Sequence, residues 1–151
     1  MMDIGRLHCF VVATKGGDVL YERFWDRFTE LEKAEIRAAF STASGNVRLQ
    51  YDDQDFIAPY KTARFAFIPS ADTVFYLMGS GEYDELGLVE ILRVIISVLK
   101  DVLGKAPSAA LLLDKYARLC LVVDEVINEG LLEAVDKEAI KKGIKGKAPW
   151  E

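Results

Sequence analysis

The order of apolar and polar positions at the start of the chain predicts a β-hairpin. Residues 6–15 are rich in Val, Phe and Leu, which is typical of a buried strand. The Gly16-Gly17-Asp18 sequence that follows predicts a tight turn. Residues 19–25 then alternate between apolar and polar positions, as a second strand would.

A helix and a group of strands are predicted next. Thr29 and Glu32 have the Thr-x-x-Glu spacing of a capping box, in which each side chain bonds the other residue's backbone amide. An apolar face follows, and Ser44-Gly45-Asn46 indicates the end of this helix. The strand-like segments after it are 47–51, 56–60, 64–68 and 73–78, of which the first two are short and interrupted. We count three strands in this region, which with the two of the hairpin make five, mainly antiparallel and joined by short turns.

The C-terminal half has the period of long helices. One helix is predicted over residues 85–103 and stops at Gly104, and a second runs from 107 to about 129 and stops at Gly130. A shorter helix covers 136–142. The element order ββαβββαα plus this short helix predicts an α+β fold, a five-stranded sheet with helices packed on it. We expect one domain over residues 1–142 and a flexible tail over 143–151, because the tail has no apolar period.

The predicted helix over residues 85–103 has an unusually narrow polar stripe. Glu90, Arg93, Ser97, Lys100 and Asp101 line one side, and most other positions are Leu, Val or Ile. Either this helix and the next bury each other, or a partner protein covers the remainder. The partner hypothesis predicts an interface made of large apolar side chains, namely Leu88, Leu92, Ile95, Ile96, Leu99, Tyr116 and Val123.

Composition narrows the classes of function. Hydrophobic residues make up 51% of the chain, which is enough for a packed core. The net charge of −5 disfavours a nucleic-acid partner, since phosphate binding needs a basic surface. The two cysteines, Cys9 and Cys120, lie in apolar runs and are expected to be buried and reduced, as in the cytosol. The most apolar stretch, 86–103, contains four charged residues, so no membrane-spanning helix is predicted.

Candidate chemistry is sparse. The one histidine, His8, neighbours Cys9, but adjacent strand residues point to opposite faces. The acidic run 52–55 lacks the Gly and the distal Glu of a calcium loop. The 79–81 Gly-Ser-Gly loop precedes a helix without a phosphate-binding motif, and nearby acids would repel an anion. We therefore predict no catalytic residue, cofactor or metal site, and keep a small ligand-binding domain at this loop as an alternative.

One segment of the C-terminal half carries a family resemblance. Residues 116–126 read Tyr-Ala-Arg-Leu-Cys-Leu-Val-Val-Asp-Glu-Val, and 130–134 read Gly-Leu-Leu-Glu-Ala. Together they resemble the Val-Val-Asp-Glu helix and its exit in the sigma subunits of clathrin adaptors and the zeta subunit of coatomer. Gly17 and the Arg-Phe-Trp at 23–25 resemble the same families, as does 28–36. The similarity spans residues 5–142.

The resemblance implies a longin-like (SNARE-like, profilin-like) fold and a scaffolding role in protein transport or endocytosis. Its members pack on a large adaptor-like subunit within a hetero-oligomeric coat complex, in the cytoplasm and peripheral to the plasma membrane or coated vesicles. Within this resemblance, the divergence from sigma chains favours the small subunit of TSET/TPLATE complexes, the LOLITA type. Alternatives are a tether subunit or SNARE-type regulator of the same fold. Whether the isolated chain forms a homodimer stays open.

Some sigma subunits bind acidic dileucine sorting signals, and the resemblance locates the equivalent pocket. Its walls fall at Ala71, Thr73, Ile96 and Ala106. Its basic positions fall at Leu20, Ile68 and Pro69, none of which is charged. Without cations the acidic part of the signal has no partner. We therefore predict a vestigial pocket and weak or absent dileucine recognition.

Overall fold

A five-stranded antiparallel sheet forms the centre of the computed structural model, which describes residues 5–147. The strands are β1 (Leu7–Thr14), β2 (Val19–Phe24), β3 (Phe56–Tyr60), β4 (Ala63–Ser70) and β5 (Thr73–Gly79). They lie in the order β2-β1-β5-β4-β3, and every neighbouring pair is antiparallel. The interior strands β1, β5 and β4 are buried on both faces, which explains their nearly continuous apolar sequence. The predicted five-stranded α+β fold is confirmed.

Helices cover both faces of the sheet. The helix α1 (Glu30–Gly45) packs on one face through Ile36 and Phe40. The helices α2 (Glu85–Leu103), α3 (Ala109–Asp114), α4 (Tyr116–Val126) and α5 (Lys137–Lys147) lie on the other side. The capping box begins α1 as predicted, because the Glu32 amide donates to Thr29 Oγ1 at 3.1 Å and the Thr29 amide to Glu32 Oε1 at 3.0 Å. The helix α2 ends as predicted at Gly104, whose φ of 84° is left-handed.

Two local predictions were wrong. Residues 47–51 form no strand, and the chain there is irregular before β3 begins. The second long helix is divided at Lys115, whose φ of −112° and ψ of 40° are not helical. The helix then stops at Val126 rather than near residue 129, and a short hairpin follows, formed by β6 (Ile127–Asn128) and β7 (Leu131–Leu132). Tertiary contacts outweigh helix propensity here, because the Leu7 amide at the start of β1 donates to the Gly130 carbonyl oxygen.

The C-terminal helix is longer than predicted. It runs to Lys147, five residues beyond the expected end at 142, because Ile140 and Ile144 are both buried against the other helices. Gly143 lies against α4, where a Cβ would be 2.5 Å from Glu125 Oε2, the end of a flexible side chain. The first part of the predicted tail, 143–147, is therefore helical, and its remainder, 148–151, lies outside the described residues.

Candidate partner interface

The predicted partner interface lies mostly in the protein's own core. Leu88, Leu92, Ile95, Leu99 and Val123 are fully buried and Ile96 is 2% exposed, so six of the seven candidates are not available to a partner. Of the two alternatives for the narrow polar stripe, the partner hypothesis was therefore wrong for these residues, and cover by the chain itself is what the structure has. The cover that α2 needs comes from the sheet, from α4 and from α5. Only Tyr116, at 42% exposed, stays accessible.

Tyr116 belongs to a small apolar surface where the helical layer meets the edge strand β2. Leu113, in the preceding helix, is 55% exposed. The Tyr116 ring makes an edge contact with the Tyr21 ring at a centroid distance of 5.8 Å. Of the sequence-predicted interface, a partner can reach Tyr116 on this surface, whereas Leu113 was not among the predicted residues.

The four residues of the aligned sorting-signal pocket differ in their surroundings. Thr73 is fully buried, and its hydroxyl lies 2.6 Å from the Ser70 carbonyl oxygen and 3.2 Å from that of Pro107. This contact ties the start of β5 to the segment that contains Ala106, which is half-buried, as is Ala71 in the β4–β5 turn. The positions aligned with the basic residues are the apolar Leu20, Ile68 and Pro69, so none offers a charge to a ligand. Ile68 and Pro69 are also buried, and Leu20 is half-buried.

Two cations nevertheless lie beside Ile96. Arg93 and Lys100, on the exposed side of α2, line a cavity of about 200 Å³ that also touches Ile96. Both are already neutralised by the chain itself. Arg93 Nη2 donates to Asp55 Oδ1 at 2.7 Å, and Lys100 Nζ lies 3.2 Å from Asp53 Oδ2. The acidic run that was considered as a weak cation site is therefore an internal ion-pair partner.

His8 belongs to a hydrogen-bonded network that the sequence did not indicate. Its Nε2 lies 2.8 Å from Ser80 Oγ, and its Nδ1 contacts the Asp26 carboxylate, which also pairs with Arg6 Nε at 2.5 Å. Nucleophile, base and acid thus occur in the order of a hydrolase triad. However, Ser80 does not line the cavity of about 170 Å³ beside His8, where a substrate would have to bind. The Ser80 amide also donates to the Arg6 carbonyl at 3.0 Å, which ties this segment to the residue before β1. The network joins β1 to the segments after β2 and β5.

Both cysteines are free, and neither has the surroundings of a reactive thiol. Burial raises the pKa of the Cys9 thiol far above its ordinary value, and the charges of Glu22 and Asp26 raise it further. Burial and the charge of Asp124 also raise the pKa of Cys120, which is half-buried rather than fully buried as predicted. Since the thiolate is the reacting species, both thiols are expected to be inert at neutral pH.

A thiol-labelling experiment checks this expectation. In native buffer at mildly alkaline pH, a Cys120→Ser variant, which retains Cys9 alone, should release almost no colour from an aromatic disulfide reagent. The same variant in denaturant should react completely, because unfolding removes the burial that raises the pKa. Rapid native labelling of Cys9 would contradict the structure.

The loop before α2 does not form an anion site. Asp84 caps the helix by accepting from the Gly87 amide at 2.9 Å, and Arg64 donates to the carbonyls of Gly81 and Tyr83. The helix N-terminus is therefore satisfied by the chain's own carboxylate. Within residues 5–147 no group of three or more potential metal ligands occurs. Over that same span, no helix has the length and apolar character needed to cross a membrane.

The fold and its surfaces define a class of protein, a longin-like α+β domain with a closed core and small exposed apolar areas. The chain belongs to the clathrin adaptor complex small chain family, whose model matches residues 6–148. The resemblance carried by residues 116–126 and 130–134 is thereby confirmed.

Individual relatives come from several coat complexes. A TSET complex member, tstD of Dictyostelium discoideum, is 20% identical over 137 residues, which cover 89% of each chain. The coatomer subunit zeta-1 of Homo sapiens is 25% identical over 130 residues, which cover 86% of this chain and 71% of that one. A chain in a homology model of the full-length AP-3 complex superimposes with a TM-score of 0.70 at 10% identity, covering 93% of this chain and 92% of that one. This structural similarity, at 10% identity, supports the fold alone.

Proposed function

We propose that this chain is a small structural subunit of a heteromeric vesicle-coat adaptor complex and acts by packing on a large adaptor-type subunit. The match to the adaptor small-chain family over residues 6–148 is the observation that carries the proposal. The relatives named as TSET and coatomer subunits point to the same kind of assembly. The complex would serve endocytosis or intracellular protein transport, and the chain would reach the plasma membrane or coated vesicles from the cytoplasm through its partners.

The closed core supports a scaffolding role rather than catalysis. Because α5 completes the cover of α2 and α4, the chain has a core of its own and leaves partner binding to its surface. The two cavities described above, of about 170 and 200 Å³, are smaller than the roughly 300 Å³ at which small-molecule pockets begin. A tether subunit or SNARE-type regulator would have the same fold, and the family match favours the adaptor.

Affinity purification of the tagged chain from its native cells tests the proposal. We expect large subunits with adaptor-type sequences to be recovered in stoichiometric amounts and to remain bound through size-exclusion chromatography. Recovery of a lone monomer, or of a tethering complex without any adaptor-type subunit, would contradict the proposed function.

We also expect weak or absent binding of an acidic dileucine peptide. The two cations that line the cavity beside Ile96, Arg93 and Lys100, are held by Asp55 and Asp53, so the acidic part of the peptide would have to displace an intramolecular ion pair. An isothermal titration of the intact chain should show no saturable binding in the micromolar range. An Asp53→Asn/Asp55→Asn variant, which frees both cations, is the matched comparison and should bind more tightly than the wild type. Micromolar binding by the wild type would contradict the prediction.

A further inference from the structure

The β6–β7 hairpin is held firmly on the fold. The Leu7 amide donates to the Gly130 carbonyl at 2.7 Å, which ties the hairpin turn to the start of β1. On its other strand the Leu132 amide donates to the Tyr83 hydroxyl oxygen at 3.0 Å, which ties it to the loop before α2. These two anchors on different segments fix the direction in which the hairpin side chains point.

The anchored hairpin presents apolar side chains to solvent. Leu131 is 50% exposed, Leu132 is 36% exposed, and Val135, three residues further on, is 52% exposed. We call these three residues the hairpin surface. Leu131 and Leu132 are successive residues of β7, so their side chains leave the hairpin on opposite sides, and both are exposed. A connection between two helices has no need of exposed leucines, and apolar side chains held on a rigid element are available to a protein partner.

Three acidic residues lie in the hairpin segment and in the loop that contacts it, while one cation, Arg6, lies at the turn, where its Nη2 donates to the Glu129 carbonyl oxygen at 3.1 Å. Glu129 and Glu133 flank the two leucines in sequence, and Glu82 lies beside Tyr83, whose hydroxyl contacts the hairpin. None of these three carboxylates forms an ion pair with another residue in the part of the chain that the structure describes. Their charge is therefore available to a partner, and it favours one that carries cations.

We propose that the hairpin surface binds an amphipathic segment of the partner subunit, whose apolar side chains pack on Leu131, Leu132 and Val135 and whose Lys or Arg side chains pair with the surrounding glutamates. The inference rests on the proposed function for the statement that the partner is a coat subunit. A second copy of this chain does not fit, because a two-fold contact would bring the same acidic groups together. An anionic membrane does not fit for the same electrostatic reason.

Three variants of the tagged chain, expressed in its native cells, test this assignment. Leu131→Asp/Leu132→Asp removes the apolar contact, and Glu82→Lys/Glu133→Lys reverses the charge. The matched control is Leu31→Asp, because Leu31 is 70% exposed on α1, on the opposite face of the sheet. Quantitative mass spectrometry should find the large adaptor-type subunit reduced about tenfold or more with either hairpin variant and unchanged with the control. Circular dichroism of each purified chain verifies folding. If the leucine variant is unstable, the charge variant, which changes only surface side chains, tests the partner contact by itself.

A photo-crosslinking amino acid at Leu131 identifies the occupant directly. We expect a cross-linked peptide from the large subunit that combines apolar residues with Lys or Arg. A cross-link to a second copy of this chain, or undiminished recovery of the large subunit with both hairpin variants, would overturn the inference while leaving the proposed function standing. If the wild type and Leu31→Asp both recover no adaptor-type subunit, the proposed function and the inference fall together.

Discussion

Replacing Leu92 by alanine is expected to lower the free energy of unfolding of the isolated chain by about 2–5 kcal/mol. Leu92 lies on α2 and is fully buried in the cluster that joins α2, α4 and α5 to the sheet. The substitution removes apolar contacts and leaves a cavity that close-packed neighbours fill only partly. Chemical denaturation followed by far-UV circular dichroism measures the loss directly.

A matched control on the same helix separates a core role from a partner role. Leu86 is 78% exposed in the first turn of α2, so Leu86→Ala should change the free energy of unfolding by no more than about 0.5 kcal/mol. If Leu92 were an interface residue, as its position in an over-apolar helix first indicated, Leu92→Ala would leave the isolated chain nearly as stable as the wild type and reduce partner recovery instead. That result would contradict the burial of Leu92.

The sequence was sufficient to predict the elements whose signals are local. The capping box at Thr29, the glycine stop at Gly104 and the dense apolar strand that became β1 each depend on neighbouring residues, and each is found in the structure. The sheet order was not predictable in the same way, because the pairing of β1 with β5 joins residues that are 59 to 72 positions apart. The order of the elements, reinforced by the family resemblance, supplied the longin-like arrangement.

The errors have a common physical origin. A narrow polar stripe on α2 shows that most of the helix circumference is covered, but it does not show which element covers it. Part of the cover comes from α5, which is longer than the sequence pattern predicted. Ile144 is buried where α5 packs closely beside Glu125 of α4, a contact between segments that no local pattern reveals. The His8 network likewise depends on Ser80 and Asp26, which are distant in sequence and were not considered together.

The hairpin was missed because its turn uses an unusual residue. Both Glu129, with φ of 49°, and Gly130, with φ of 81°, are left-handed, as the two central residues of a type I′ turn require. Asn-Gly would have been recognised as a turn, whereas glutamate before glycine reads as the last residue of a helix. The residues that we propose contact a partner are therefore the ones that local sequence signals concealed.

Gly130→Ala is expected to destabilise the chain by about 1–3 kcal/mol more than Gly104→Ala does. Both glycines have nearly the same left-handed φ, 81° and 84°, so the backbone strain of adding a Cβ, about 1–2 kcal/mol, is common to the two variants. At Gly104 the added carbon meets nothing within 4 Å, whereas at Gly130 it would lie 2.6 Å from the Leu7 carbonyl oxygen and 2.6 Å from Arg6 Nη2. The difference between the variants therefore isolates the contact between hairpin and sheet.

Hydrogen exchange provides the second measurement for this pair of variants. The Leu7 amide bonds the Gly130 carbonyl, so displacement of the hairpin in Gly130→Ala should speed exchange at Leu7, while Gly104→Ala should leave it slow. Because the same displacement moves Leu131 and Leu132, Gly130→Ala should also reduce recovery of the large subunit, although it alters none of the exposed side chains of the hairpin surface. Equal stability of the two variants, with equal exchange at Leu7, would show that the hairpin is not held by this contact and that its leucines are not fixed for a partner.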